Sequence, residues 1–189
     1  MIWPLLSLAH LTPVFNPLLL AIRLILAKIP SNMSGPEDIS IVKNQLYVGC
    51  SLTYAPEEFK ASVEATKAAL REDNWRVMEF LGLTAGTPDD VYNQDILTNV
   101  ATCDGFVGIV DEPSIGLGWE LGAAVMHYRK PSLALAHTDS RITRLVLGAP
   151  GHNLNLRFRT YENMVEEVPA IVAEEFAFLK GALAQVREL

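Results

Sequence analysis

The stretch "PSIGLGWELGAA" (113–124) sets two glycines, Gly116 and Gly118, just ahead of a carboxylate, Glu120. Closely spaced glycines let a ligand approach the backbone, and the usual ligand of such a turn is a phosphate. A carboxylate in the opening turn of the helix that follows repels a phosphate. It can, however, attack a carbon that develops positive charge, and the anomeric carbon of a sugar is such a centre. The positive end of the helix would keep the carboxylate ionised for that attack. The same field makes acidic residues common in first helical turns, so residue type alone also admits a structural role. Gly116, Gly118 and Gly122 also read as GxGxxxG, with Asp139 about 20 residues on, which makes a dinucleotide site a rival reading.

A second carboxylate would complete a glycosyl-transfer site. "DDVYNQDILTN" supplies Asp89, Asp90 and Asp95 near the start of a helix that begins at the same edge of the sheet. Asp89 and Asp90 suit cap and first-turn positions. Asp95 lies deeper in the helix, where aspartate is a poor helix former, so it reads either as a functional acid or as an exposed one. Ser51 follows the first strand, Ser114 opens the glycine stretch and Ser140 falls at the expected start of a helix. Separately they are loop or cap residues; together they are able to surround one anion. No G-x-S-x-G elbow supports a serine nucleophile. Cys50 and Cys103, with four scattered histidines, show no metal-ligand spacing, so no metal site is expected, and a carboxylate that supplies covalent catalysis needs no organic cofactor.

The elements that must position these groups alternate short β-rich runs with helical periodicity, the pattern of a parallel α/β sheet. Strands are expected at 45–49, 75–80, 105–110, 132–136 and 156–161. Helices are expected at about 56–71, 89–102, 119–128 and 140–147, with a last one starting near Pro169. This predicts a doubly wound, flavodoxin- or Rossmann-like five-stranded parallel sheet of order 2-1-3-4-5. Ligands bind such sheets at the carboxyl ends of the strands, near the switch point between strands 1 and 3. The loops there contain Ser51 and the Glu120 stretch.

The 189-residue chain is long enough for one such domain, assigned to residues 41–189. Its net charge of −7 argues against a nucleic-acid polymer as partner. Two unpatterned cysteines suit a reducing, cytoplasmic setting. Residues 1–40 form a hydrophobic extension broken by Pro4, Pro13 and Pro17. Its unbroken part, Leu18 to Ala27, carries Arg23 and falls short of the roughly 20 residues of a bilayer span. Membrane contact through residues 1–30 is therefore not the expected role. A docking helix, or an upstream extension ahead of a start at Met33, are the other readings.

The blocks "DVYNQDI", "CDGFVGIV" and "PSIGLGWELGAAV" resemble the nucleoside 2-deoxyribosyltransferase superfamily, and within it the 2'-deoxynucleoside 5'-phosphate N-hydrolases. The resemblance runs from about Leu46 to Phe176. It implies that Glu120 is the nucleophile of a covalent glycosyl intermediate, and that Asp95 is the second acid, positioning the sugar and assisting proton transfer. Tyr47 matches a tyrosine beside the catalytic carboxylate. Ser51, Ser114 and Ser140 match serines around a 5'-phosphate, with Gly116 and Gly118 lining the substrate. Trp119 stands where a tyrosine is frequent, and "LTYAP" (52–56) replaces an arginine-containing segment. The implied substrate is a nucleotide or nucleoside, and the implied assembly a homodimer. Base exchange by a transferase and a binding module without turnover are the alternatives.

Overall fold

Continuous apolar runs are the sequence form of strands covered on both faces. The run Gly105–Ile109 is buried at every position and forms β3, the middle strand of the sheet. The computed structural model of the protein describes residues 44–80 and 86–179. Within them, β1 (Gln45–Cys50), β2 (Arg76–Met78), β4 (Ser132–His137) and β5 (Leu156–Tyr161) join β3 in one parallel sheet of order β2-β1-β3-β4-β5. Fold class and strand order are those expected from the alternation of strand and helix signals. The N-terminal extension and any membrane contact it makes lie outside the described residues. No helix among the described residues is long and apolar enough to cross a membrane.

Side chains alternate across a strand, so each strand serves two layers. Leu46 and Val48 of β1 face a core shared with Val63 and Leu70 of α1 (Glu57–Glu72) and Val168 and Val172 of α5 (Met164–Glu175). Tyr47, between them, faces the opposite layer. There it meets Phe106 together with residues of α2 (Pro88–Tyr92, π-wound from Asn93 to Val100) and α3 (Ile115–Gly122, π-wound from Ala123 to His127). Tyr47 and Phe106 are register partners whose ring centroids lie 5.8 Å apart.

Four boundaries differ from the sequence expectation. The third helix begins at Ile115, four residues early, because the Ser114 side chain accepts the Leu117 N–H at 3.2 Å and caps it there. Glycine weakens a helix by about 1 kcal/mol relative to alanine, which made 116–118 read as a loop. Burial of Leu117 and Leu121 against the sheet overrides that preference. Glu120 is accordingly a full turn into α3, outside the opening turn whose dipole was to keep it ionised. The next helix, α4 (Arg144–Gly148), is capped by Thr143, not by Ser140. α5 starts at Met164 behind an Asn163 cap and carries Pro169 in its interior. β2 starts one residue late because the Trp75 N–H still bonds the Leu70 carbonyl at the end of α1.

Candidate active site

β1 and β3 are neighbours whose following helices pack on opposite faces of the sheet, a switch point of the kind that opens a crevice outside the carboxyl ends of the strands. Three elements supply the candidate side chains. β1 contributes Tyr47, which is 2% exposed and held against Phe106. α2 contributes Asp95, anchored by its buried neighbours Ile96, Asn99 and Val100. α3 contributes Glu120, whose helix is fixed to the sheet through Leu117 and Leu121. Asp89 and Asp90 take no part: Asp90 forms a capping box with Thr87, and Asp89 accepts from the Asn93 amide at 3.1 Å.

Glu120 does not point outward along its helix; its carboxyl turns in toward β1. A Cβ placed on Gly49 would lie 2.5 Å from Glu120 Oε2, so that oxygen fills the space beside the Gly49 backbone. Glu120 Oε2 and Asp95 Oδ1 are both buried with no hydrogen-bond partner among the described residues. Burial comes first among the causes that push the Glu120 carboxyl up to about 8, and repulsion from Asp95 adds to it. Burial likewise raises Asp95, while a hydrogen bond with the Tyr47 side chain opposes that rise. The Tyr47 hydroxyl is pushed well above its ordinary range by burial and then by the two carboxylates, with the Asn99 side chain acting the other way. Charge on either carboxyl disfavours charge on the other, so the two do not both ionise cheaply. Burial and Asp95 together favour the neutral form of Glu120, while Tyr47 favours the charge on Asp95. A helix-end field keeping Glu120 ionised, as its expected opening-turn position implied, is therefore not what the structure provides.

The other expected site residues scatter around this trio. Ser51 is buried just past β1. Ser114 is engaged as the α3 cap and lines a cavity of about 340 Å³ between α3 and α4, together with Gly118, Arg141 and Thr143. Trp119 is 62% exposed and borders a separate groove of about 480 Å³ with Tyr92, Ile96 and Tyr128. The inward turn of Glu120 thus separates it from Trp119 and Gly118, its sequence neighbours. Gly116 sits near the Ser114 hydroxyl, with a Cβ there 3.8 Å from it. Ser140 donates to Asp111 Oδ1 at 2.7 Å and caps no helix.

Three residues of the cleft escaped the sequence reading. Asn99, one helical turn after Asp95, is 1% exposed and donates to the Glu79 carbonyl at 2.9 Å. Its spacing of four from Asp95 was the available signal. Asp111, just past β3, accepts from the His137 N–H, the Ser140 hydroxyl and the Tyr161 hydroxyl, tying together the ends of β3, β4 and β5. Gly49 lies two residues from Tyr47 and so on the same face of β1, a period-2 signal the sequence did contain. Among the described residues no cluster of side chains suited to a metal ion occurs.

No family model and no curated protein matches the sequence. Solved structures do. A CMP N-glycosidase from Clostridium botulinum, BcmB, superposes with a TM-score of 0.54 over 67% of this chain and 96% of its own, at 20% identity. A 2-desoxiribosyltransferase from Leishmania mexicana gives 0.44 over 66% and 86%, at 18% identity. At these identities the likeness is one of architecture, and the protein shares the α/β fold of the Clostridium botulinum structure along nearly that structure's whole length.

Proposed function

We propose that the protein is an N-glycosidase that cleaves the base from a (deoxy)nucleoside 5'-monophosphate through a covalent intermediate on Glu120. One observation carries this reading: two carboxyls, Glu120 and Asp95, each with a buried, unpartnered oxygen and each pushed upward by burial, beside Tyr47. The likeness in fold to a CMP N-glycosidase supports it, as do the sequence blocks around Glu120.

The proton on Glu120 matches what the first step needs. It passes by way of Asp95 to the departing base, the C1'–N bond breaks, and a Glu120 oxygen bonds to C1' as positive charge develops there. Asp95, ionised and held by Tyr47, stabilises that charge. Water then attacks the glycosyl ester and returns a proton to the pair, so no proton is gained or lost over the cycle. Ser51 and Ser114 stand at the same edge of the sheet, and the hydrogen of the Ser114 hydroxyl is free of its capping role, which supports a 5'-phosphate there. Ile115, Met126, Leu145 and Leu147 are apolar and exposed around α3 and α4, which supports a homodimer through that layer. The two free thiols suit a cytoplasmic protein: burial pushes Cys50 up to about 12 and Cys103 up to about 11, leaving them unreactive.

The test is chromatography of products from a panel of nucleosides and 5'-monophosphates, with and without an acceptor base. Wild-type protein is expected to release base from a monophosphate, and Glu120→Ala to lose that activity by at least about 1,000-fold. The wild-type kcat/KM should fall as pH rises through about 8, because the pair then loses the proton the base requires. Substantial release by Glu120→Ala would sink the mechanism. Exchange of bases without hydrolysis would make the protein a transferase, and ligand binding without release would make it a binding module.

A further inference from the structure

Two glycines pair across the central strands beneath Glu120. Gly49 of β1 and Gly108 of β3 are register partners, on the face that carries Tyr47 and Phe106. With no side chain at either, the sheet has a notch in that face. The space at Gly49 is filled by Glu120 Oε2, at 2.5 Å from where a Cβ would stand. Leu117 Cδ1 and Phe106 Cζ, each 3.1 Å from that point, wall it in. The space at Gly108 is bounded by Phe106 Cε1 at 3.1 Å and by Leu117 Cδ1 and Phe106 Cζ at 3.8 Å, so its three nearest neighbours are apolar and none belongs to Glu120. Neither glycine has a backbone conformation that demands glycine, since Gly86 is the one described glycine with positive φ. What requires glycine at 49 is room for the carboxyl.

We infer that Gly49 is a positioning residue: by leaving its side-chain space to the Glu120 carboxyl, it fixes where that group sits and keeps it out of water. The inference deepens the proposed function and rests on it for its catalytic consequence. A methyl group at 49 collides with the far end of a flexible side chain, which moves more cheaply than a strand does. Glu120 is therefore displaced toward the cleft while the sheet persists. Two effects follow. The carboxyl leaves the position from which it reaches C1', and it gains hydration. Asp95 of α2, Tyr47 of β1 and Cys50 of β1 are the titratable groups that interact with it. None of them is removed by the substitution, so a change in its titration reports on hydration and distance.

The experiment compares Gly49→Ala with Gly108→Ala, the same chemical change one strand away. Glu120 titration is followed by carbon-13 NMR of glutamate carboxyls, assigned with Glu120→Gln, and base release is followed in parallel. Gly49→Ala should lower the Glu120 midpoint from about 8 toward the ordinary carboxylate range. It should cut kcat by about 10- to 100-fold with less effect on KM, as a displacement of about 1 Å does. Gly108→Ala should keep the wild-type midpoint. An unchanged midpoint in Gly49→Ala, or an equal shift in both variants, overturns the inference while leaving the proposed reaction standing. Wild-type protein that releases no base overturns the reaction, and the titration still decides the role of Gly49. A melting-temperature cycle guards against a folding defect: Gly49→Ala should lower Tm less in a Glu120→Ala background than in the wild type. Equal losses in both backgrounds would also count against the notch.

Discussion

Replacing Glu120 with glutamine should make the protein more stable in alkali, and the size of the gain follows from the burial of its carboxyl. The native group holds its proton up to about 8, whereas an unfolded chain releases it near 4.5. Between those values the native state binds more protons than the unfolded state, so unfolding free energy falls as pH rises. The contribution is fully present below about pH 4.5 and is lost through about pH 8. At 1.36 kcal/mol per pH unit, a raise of this size sets a ceiling of about 5 kcal/mol. Glu120 is a half-buried residue that is able to swing toward water when charged, which brings the expected loss to about 2–4 kcal/mol. Glutamine has nearly the same shape and never ionises, so it matches the protonated acid and avoids that loss. Urea unfolding of both proteins at pH 5 and pH 9 measures the effect. Glu120→Gln should be ahead by under about 1 kcal/mol at pH 5 and by about 2–4 kcal/mol at pH 9. A difference that is the same at both pH values would refute the placement of the carboxyl in a desolvated notch. A variant more stable and yet inactive is what a functional, poorly solvated charge should yield.

Two further substitutions probe the supports of the site. Tyr47→Phe removes the hydroxyl that favours the charge on Asp95, so protonation should shift toward Asp95. Base release should drop about 10-fold, read as kcat at constant pH, with the ring packing against Phe106 and the fold retained. Asp111→Ala leaves two hydroxyls and one backbone N–H at the ends of β3–β5 without their acceptor, and should cost about 2–4 kcal/mol in urea unfolding. Asp111→Asn, which keeps one acceptor oxygen, should cost less than half of that.

The sheet was legible because buried parallel strands are written as unbroken apolar runs: "GFVGI" and "SLALA" have no competing reading at that length. Strand order followed because the strand–helix alternation leaves few topologies. The glycine stretch at 116–118 was misread as a loop for a physical reason. Local propensity opposed a helix there, and the packing of Leu117 and Leu121 that overrides it involves residues distant in sequence. The environment of Glu120 changes with it, because its distance to the helix end depends on where α3 begins. Asp95 and Tyr47 were legible as types and spacing, but their meeting with Glu120 is a property of three elements at once. Asp111 carried no signal of its own, since an aspartate after a strand is an ordinary loop residue until β4 and β5 bring it three donors.

The π winding of α2 over Asn93–Val100 has a consequence for how this cleft tolerates change in chain length. A π segment holds one more residue than the α winding of the same span, so it behaves like an insertion the helix has absorbed. Removing one exposed residue from it, such as Thr98, would let the segment relax to α winding without breaking the helix. Every residue before the deletion would then turn by about 100° relative to those after it. Asp95 would rotate away from Glu120 while Val100 kept its seat on the sheet. On this geometry the phase of Asp95 relative to Glu120 depends on the π winding between Asp95 and Val100. An insertion or deletion in α2 is a direct way for such a fold to acquire this carboxyl pair, or to lose it and keep everything else.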